Sequence, residues 1–359
     1  MQKTINLIIS ILCLISFNKG SSQSPDPNLI IITTDGLRWQ EIFTGLDKNL
    51  ATPDIRIPAG SREALMPFVW NTLVHHANLF GNRTKQNLVN TRNYHRFSYP
   101  GYSELFCGVF DPSVNSNGKV YNRNVSILED LNHHPIYKNK ISVFSSWEIF
   151  PYILNEPRSG LMVNAGWEPI VTGLITPAIS RLNDALINPP INKGETRSDD
   201  LTWRMAIEYA KANHPKVLYI SLNDTDDYGH FGNYPAYAKA INQFDTYLSE
   251  MWKLIQLDPF YKNNTYLMVT TDHGRGSKSS SWRNHGFLPL RSGEIWYMEY
   301  GPTIQQRGEC TEAMQQYQVS LSYKMADVLQ CSFSAHQAPI LPELNPEILM
   351  ALSRGIDSK

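Results

Sequence analysis

Cysteine is scarce in this chain: four in 359 residues, one of them, Cys13, inside an amino-terminal apolar run. The remaining three, Cys107, Cys310 and Cys331, are too few for a disulfide-built scaffold, so stability has to come from a packed apolar core. A Cys310–Cys331 bridge and three unpaired thiols are both open readings. No block of Lys and Arg is dense enough for a dedicated polyanion binder, so no nucleic-acid partner is expected. Internal repeats and long low-complexity tracts are also missing, which argues against a solenoid or a disordered chain.

The apolar run itself, Ile5 to Phe17, follows Lys3 and precedes Gly20-Ser21-Ser22. It is too short for a comfortable membrane span and reads as an export signal over residues 1–22, cut before Gln23. Cys13 follows Leu12, where a lipoprotein cysteine would want a small residue, so lipidation is discounted. The expectation is an exported protein, periplasmic or secreted, with no stable membrane insertion. About 337 residues remain, enough for a single large domain over 23–359, with a net charge near −3 once Lys3 and Lys19 are gone.

Several short runs are rich in apolar residues: Asn28 to Thr34, Ile141 to Ser146, Val217 to Leu222 and Tyr266 to Thr270. Continuous runs of this length suit strands buried on both faces. Glu294 to Tyr300 is a further strand. Helical patterns fall between them, at Arg38 to Phe43, Glu63 to His76, Val125 to Leu131, Asp199 to Ala212, Tyr234 to Ile255 and Val319 to Leu329. Pro100, in Ser98-Tyr-Pro-Gly-Tyr, marks another helix start. This alternation predicts an α/β fold, a three-layer sandwich around a central, mostly parallel sheet. From about residue 156 to 195 the pattern decays into Pro, Gly and Asn, which reads as a small cap insertion.

Three of these strands end in chemistry. Asp35-Gly36 closes the first, Asp226-Asp-Tyr-Gly-His230 follows the second, and Asp272-His273-Gly274 ends the third. Crowding carboxylates and imidazoles at the mouth of buried strands is costly unless a cation sits there. Asp226 and His230 are one helical turn apart and can face one ion. His285, in Trp282-Arg-Asn-His-Gly, adds a third imidazole. Three Asp and three His suffice for two divalent ions, each with three protein ligands and an open position. Ser98, at a predicted helix start, offers a hydroxyl where an anion is favoured; Ser103 is the rival one turn on. Arg38 or Arg275 could meet a substrate phosphate, with surface ion pairing as the default reading, and Asp224 and Asp227 read as turn residues or residues that touch ligands.

In this order the four pieces, Thr-Thr-Asp35-Gly, Ser98-Tyr-Pro-Gly-Tyr, Asp226-Asp-Tyr-Gly-His230 and Thr-Asp272-His273-Gly, resemble the alkaline phosphatase superfamily. They look most like its nucleotide pyrophosphatase/phosphodiesterase branch and the related phosphomutase-like metalloenzymes, over roughly Leu29 to Pro302. The resemblance implies Asp226, His230 and His285 on one zinc-type ion and Asp35, Asp272 and His273 on the other. It puts Ser98 at the nucleophile's place, bridging both, and asks for an Asn beyond the nucleophile helix to hold a substrate oxygen. Asn115, Asn117, Asn122 and Asn124 compete for that role, with Asn117 preferred. The diesterase branch places its third His farther from Asp-His-Gly than His285 lies, which leaves His336 as a reserve ligand.

The expected function is therefore two-metal phosphoester hydrolysis, of mono- or diesters, through a covalent phospho-serine on a small-molecule substrate. Asp and His suit Zn2+, and Mn2+ tolerates the same set. A sulfatase is disfavoured, because Tyr102 stands two residues beyond Pro100, where a formylglycine sequence needs Arg. A phosphomutase or phosphotransferase on the same scaffold, or a non-catalytic metal-binding surface protein, are the other readings. Trp147, Tyr152 and Trp167 near the expected cap are candidates for stacking on a nucleobase or sugar.

Overall fold

The apolar runs do form the strands they suggest. In a computed structural model that describes residues 26–187 and 194–335, the expected export signal and His336 lie outside the described residues. Eleven strands are described: β1 (Asn28–Thr34), β2 (Asn78–Phe80), β3 (Asn87–Asn90), β4 (Ile141–Ser145), β5 (Met162–Ala165), β6 (Val217–Leu222), β7 (Thr265–Thr270), β8 (Glu294–Ile295), β9 (Tyr297–Tyr300), β10 (Gly308–Glu309) and β11 (Met314–Tyr317). Eight make one sheet in the order β10-β2-β9-β7-β1-β6-β4-β5, and three make a second, β11-β3-β8. The central run β7-β1-β6-β4-β5 is parallel throughout, and β9 joins β7 antiparallel.

Each central strand is buried on both faces, which is why its sequence does not alternate. Ile30 and Ile32 pack with Leu218, Ile220, Leu267 and Val269 into one core, and Leu29 and Ile31 with Val217, Tyr219 and Met268 into the other. A fully buried side chain of this kind contributes roughly 1.5–3 kcal/mol. The Asp199–Asn213 and Tyr234–Leu257 helices cover the first face; the Ser98–Cys107, Ile127–His133 and Ser320–Val328 helices cover the second. The result is the three-layer α/β arrangement. Register places the site: Thr34 lies opposite Leu222 and Thr33 opposite Thr270, so β1, β6 and β7 end at one rim.

Some expectations change. Glu63 to His76 is not one helix but three short pieces, Arg62–Leu65, Pro67–Asn71 and the 3-10 turn Leu73–His75, because Pro67 cannot continue the first. Glu294 to Tyr300 divides at Trp296 into β8 and β9, which belong to different sheets. Within the expected cap insertion at 156–195, β5 is the edge strand of the main sheet and Pro177–Ile187 is a helix packed on the Asp199–Asn213 helix. Cys107, Cys310 and Cys331 are all free, so Cys310 and Cys331 do not pair.

Candidate active site

The rim of β1, β6 and β7 carries the candidate ligands because the strands deliver them there. Asp35 follows β1, and its backbone N–H donates to Leu222 O at 2.9 Å. Gly36 turns the chain away with φ +60°, and its N–H donates to Asp272 Oδ1 at 3.1 Å, so the ends of β1 and β7 are fastened together. The helix after β6, Asp224–His230, presents Asp226 and His230 one turn apart, with Nε2 of His230 3.0 Å from Asp226 Oδ2. His285 arrives from a loop; its Nδ1 lies 3.3 Å from Arg96 O and its Nε2 2.8 Å from Nε2 of His230. Its ring stacks on that of His273 at 4.0 Å.

Two clusters result. Asp226, His230 and His285 form one, and Asp35, Asp226 and His273 the other, with ligand atoms in each within 4.8 Å of one another. Asp272 borders the second: its Oδ2 is 3.4 Å from His273 Nε2, and this fully buried oxygen has no hydrogen-bond partner. A buried carboxylate oxygen left unpaired, and two imidazole nitrogens aimed at one point, are what a divalent cation would satisfy. The donor set fits the group.

Electrostatics agree with that reading. Burial, reinforced by Asp272 and Asp226, pushes Asp35 well above the usual carboxylate range, and burial likewise raises Asp272. At Asp226 burial is again the largest influence and acts upward, yet Arg275 with His285 and His230 holds the carboxyl well below its usual value. Burial also lowers His273 well below its ordinary value and His285 to about 4, so both imidazoles are neutral and able to ligate.

Ser98 opens the Ser98–Cys107 helix, and its Oγ stands 3.4 Å from both Asp35 Oδ1 and His273 Nε2. Ser103 is turned elsewhere, accepting from Asn122 Nδ2 at 3.0 Å. Tyr102 donates to Asp35 Oδ2 at 3.1 Å. Asn117 accepts the Tyr99 N–H at 3.0 Å through Oδ1, which brings its amide next to the serine's helix turn. Asn122 and Asn124 bond instead to Ser103 and Asp111.

Residues 187–285 match the family model described as Metalloenzyme superfamily. That stretch holds Asp226, His230, Asp272, His273 and His285 but neither Asp35 nor Ser98. Over 134 residues the chain is 30% identical to the phosphopentomutase of Photorhabdus laumondii subsp. laumondii, across 36% of this chain and 29% of that protein. The chain thus matches under a third of that relative's length. Among solved structures, wild-type alkaline phosphatase PafA aligns with a TM-score of 0.58 at 11% identity, over 89% of this chain and 99% of that one. Murine ectonucleotide pyrophosphatase / phosphodiesterase 5, an inactive variant in complex with AMP, aligns with a TM-score of 0.53 at 12% identity, over 87% and 97%. The fold is that of the alkaline phosphatase superfamily. Within this alkaline-phosphatase-like frame, the metalloenzyme match and the Asp/His clusters together support use of a divalent metal. Among the described residues, no helix is long and apolar enough to cross a membrane.

Two contributions to this candidate site go beyond the sequence reading. Arg275 is not a surface residue: its side chain is fully buried and ion-paired with Asp226. Arg38 is equally buried, paired with Glu41 and donating to Gly276 O at 3.2 Å. The second contribution is Asp199, whose carboxylate accepts the N–H groups of Asn223 at 2.7 Å and Asp224 at 2.9 Å and the Ser146 hydroxyl at 2.6 Å. Asn223 makes no side-chain cap, so Asp199, from another helix, caps the turn that carries Asp226 and His230. An acidic residue opening its own helix gave no sign of this remote task. Of the aromatic candidates, Trp147 bonds to Glu195, Trp167 to Gly194 O, and Tyr152 stacks on Tyr121.

Proposed function

We propose that this chain is an exported two-metal phosphoester hydrolase with Ser98 as its nucleophile. The observation that carries the reading is the Ser98 hydroxyl, 3.4 Å from one oxygen of Asp35 and one nitrogen of His273, at the start of a ten-residue helix. Asp35, Asp272 and His273 would hold one ion and Asp226, His230 and His285 the other, with Zn2+ suited by the donors and Mn2+ compatible. When bound, two such ions would supply positive charge to the entering and leaving oxygens of an in-line displacement.

The chain's own residues supply the rest. Ser98 Oγ forms the bond to phosphorus as the ester oxygen leaves, and water then cleaves the phospho-serine and restores the hydroxyl. The helix start favours the anionic group held against it. Asn117, with Oδ1 engaged by Tyr99 N–H, has its amide N–H groups as donors for a non-bridging oxygen. Small phosphoesters are the substrate class.

A panel of aryl phosphate mono- and diesters and aryl sulfate, assayed on metal-analysed protein, tests this. Phosphate esters should be cleaved, and Ser98→Ala should lower turnover by roughly three orders of magnitude or more while metal stays near two per chain. Faster cleavage of the sulfate than of either phosphate, or full activity in Ser98→Ala, would overturn it. The phosphopentomutase match favours one alternative, transfer of the phosphoryl group within a sugar phosphate through the same serine. Isomerisation of a pentose phosphate without release of inorganic phosphate would mark that reading.

A further inference from the structure

Arg275 is set into the middle of the ligand cluster. Its guanidinium donates to Asp226 Oδ1 and, at 2.9 Å, to the Asp226 carbonyl, while Nη1 donates to Arg283 O at 2.6 Å. The backbone has been cleared to admit it. A Cβ on Gly229 would fall 2.5 Å from the guanidinium carbon, and one on Gly36 would fall 3.0 Å from Nε and 2.6 Å from Asp226 Oδ1. An incidental ion pair does not call for two side-chain-free approaches.

The charges give this placement a consequence. Asp35, Asp226 and Asp272 are three buried carboxyl groups gathered at one rim, and Arg275 is the arginine in contact with one of them. It stabilises the charged Asp226 carboxylate in the metal-free protein, and it repels an incoming divalent cation. The two clusters feel this unequally. Asp226 borders both clusters, but the inner one also has Asp35 and His273, with the unpartnered Asp272 Oδ2 3.4 Å from His273 Nε2 as a further carboxylate oxygen. The other cluster has no carboxylate but Asp226, whose Oδ1 is already taken by the guanidinium, and its His230 is half exposed.

We propose that Arg275 is a resident counter-charge that holds Asp226 in the metal-free protein and makes the two ions load in order, first at Asp35, Asp272 and His273 and then, more weakly, at Asp226, His230 and His285. This rests on the two-ion reading above. Arg275 is a positioning residue here, not a catalytic one.

The test is calorimetric titration of the metal-stripped full chain with Zn2+, paired with thermal melting of the metal-free protein. Wild type should show two binding events separated by about tenfold or more in Kd. His230→Ala should remove the weaker event and spare the tighter. Arg275→Gln should bring the two affinities together by about tenfold and lower the metal-free Tm, whereas Arg275→Lys, which keeps the charge, should preserve the separation. Should Arg275→Gln not fold without metal, His230→Ala and Arg275→Lys decide alone. Loss of the tighter event in His230→Ala, a collapsed separation in Arg275→Lys, or an unchanged one in Arg275→Gln each overturns the proposal. Two zinc ions per chain with any of those results sinks this inference only; fewer than two per chain sinks the two-ion reading with it.

Discussion

Replacing Gly229 with alanine sets two effects of known size against each other. Gly229 lies inside the Asp224–His230 helix, where alanine is normally favoured over glycine by about 1 kcal/mol. On propensity alone the variant should be more stable. The added methyl, however, would stand 2.5 Å from Arg275 Cζ and 2.8 Å from both Nε and Nη1, well inside contact distance. The guanidinium has no easy retreat, since the side chain is fully buried and both terminal nitrogens are engaged. Pushing it off Asp226 breaks a buried ion pair, which costs about 3–5 kcal/mol. The broken ion pair outweighs the helix preference, and Gly229→Ala should destabilise the metal-free protein by about 2–4 kcal/mol. Urea unfolding of the metal-free chain measures this, and an Arg275→Met background isolates the cause. With the guanidinium gone, the same alanine should be neutral or stabilising by up to about 1 kcal/mol. A stabilised single variant, or an equal loss in both backgrounds, refutes the argument that Arg275 fixes this glycine.

Two further outcomes follow from buried carboxylates. Asp199→Ala removes the remote cap of the turn bearing Asp226 and His230 and should cost about 1–3 kcal/mol; its activity loss should recover at raised metal concentration, because ligand placement rather than the nucleophile is damaged. Activity that stays low at saturating metal would contradict that role. Burial lifts Glu104 from an ordinary 4.5 to about 7, although Arg92 and Asn93 donate three N–H groups to it. The folded state then binds this proton more tightly than the unfolded chain, so the group favours folding least at high pH. Its contribution should fall by up to ~3 kcal/mol as pH rises from about 4.5 through 7. Urea midpoints between pH 5 and 8 should show a slope in wild type that Glu104→Gln flattens; parallel curves would show that Glu104 does not titrate in this window.

How much of this was visible in the chain beforehand depends on the range of the forces involved. β1, β6 and β7 are legible because burial on both faces leaves an unbroken apolar run, and each run stops at a carboxylate. The short strands β2 and β10 are three and two residues long, too short to carry a period, and are held by pairing with distant strands. β5 was lost among Pro, Gly and Asn because its four residues gain their place from β4 alone. The same limit applies at the site. Spacing brings Asp226 and His230 together within one helix turn, but nothing local pairs Arg275 with Asp226, 49 positions away, or sends Asp199 to cap Asn223. A single charged residue defaults to solvent until the fold surrounds it.

The two halves of the site are held by different means, and this asymmetry bears on catalysis. Asp35 directly follows β1 and Asp272 lies two residues beyond the end of β7; both are fully buried and are fastened together through the Gly36 N–H. His230 ends a seven-residue helix and is half exposed, while His285 sits on a loop held by the Arg96 carbonyl. Local opening costs least where few buried contacts are lost, so the His230–His285 half should loosen first. Ser98 stands against the rigid half, beside Asp35 and His273. Loosening of the outer half therefore leaves the nucleophile placed, and under the proposed chemistry it acts mainly on the side where the leaving oxygen departs. In such an arrangement, replacing His230 should impair esters with poor leaving groups more than those with good ones, because the good leaving group needs less help as its bond breaks. Rates for a series of aryl phosphates of graded leaving-group pKa, compared between wild type and His230→Ala, give the slope directly. A steeper dependence in the variant supports this division of labour, and equal slopes would place the leaving oxygen at the other half.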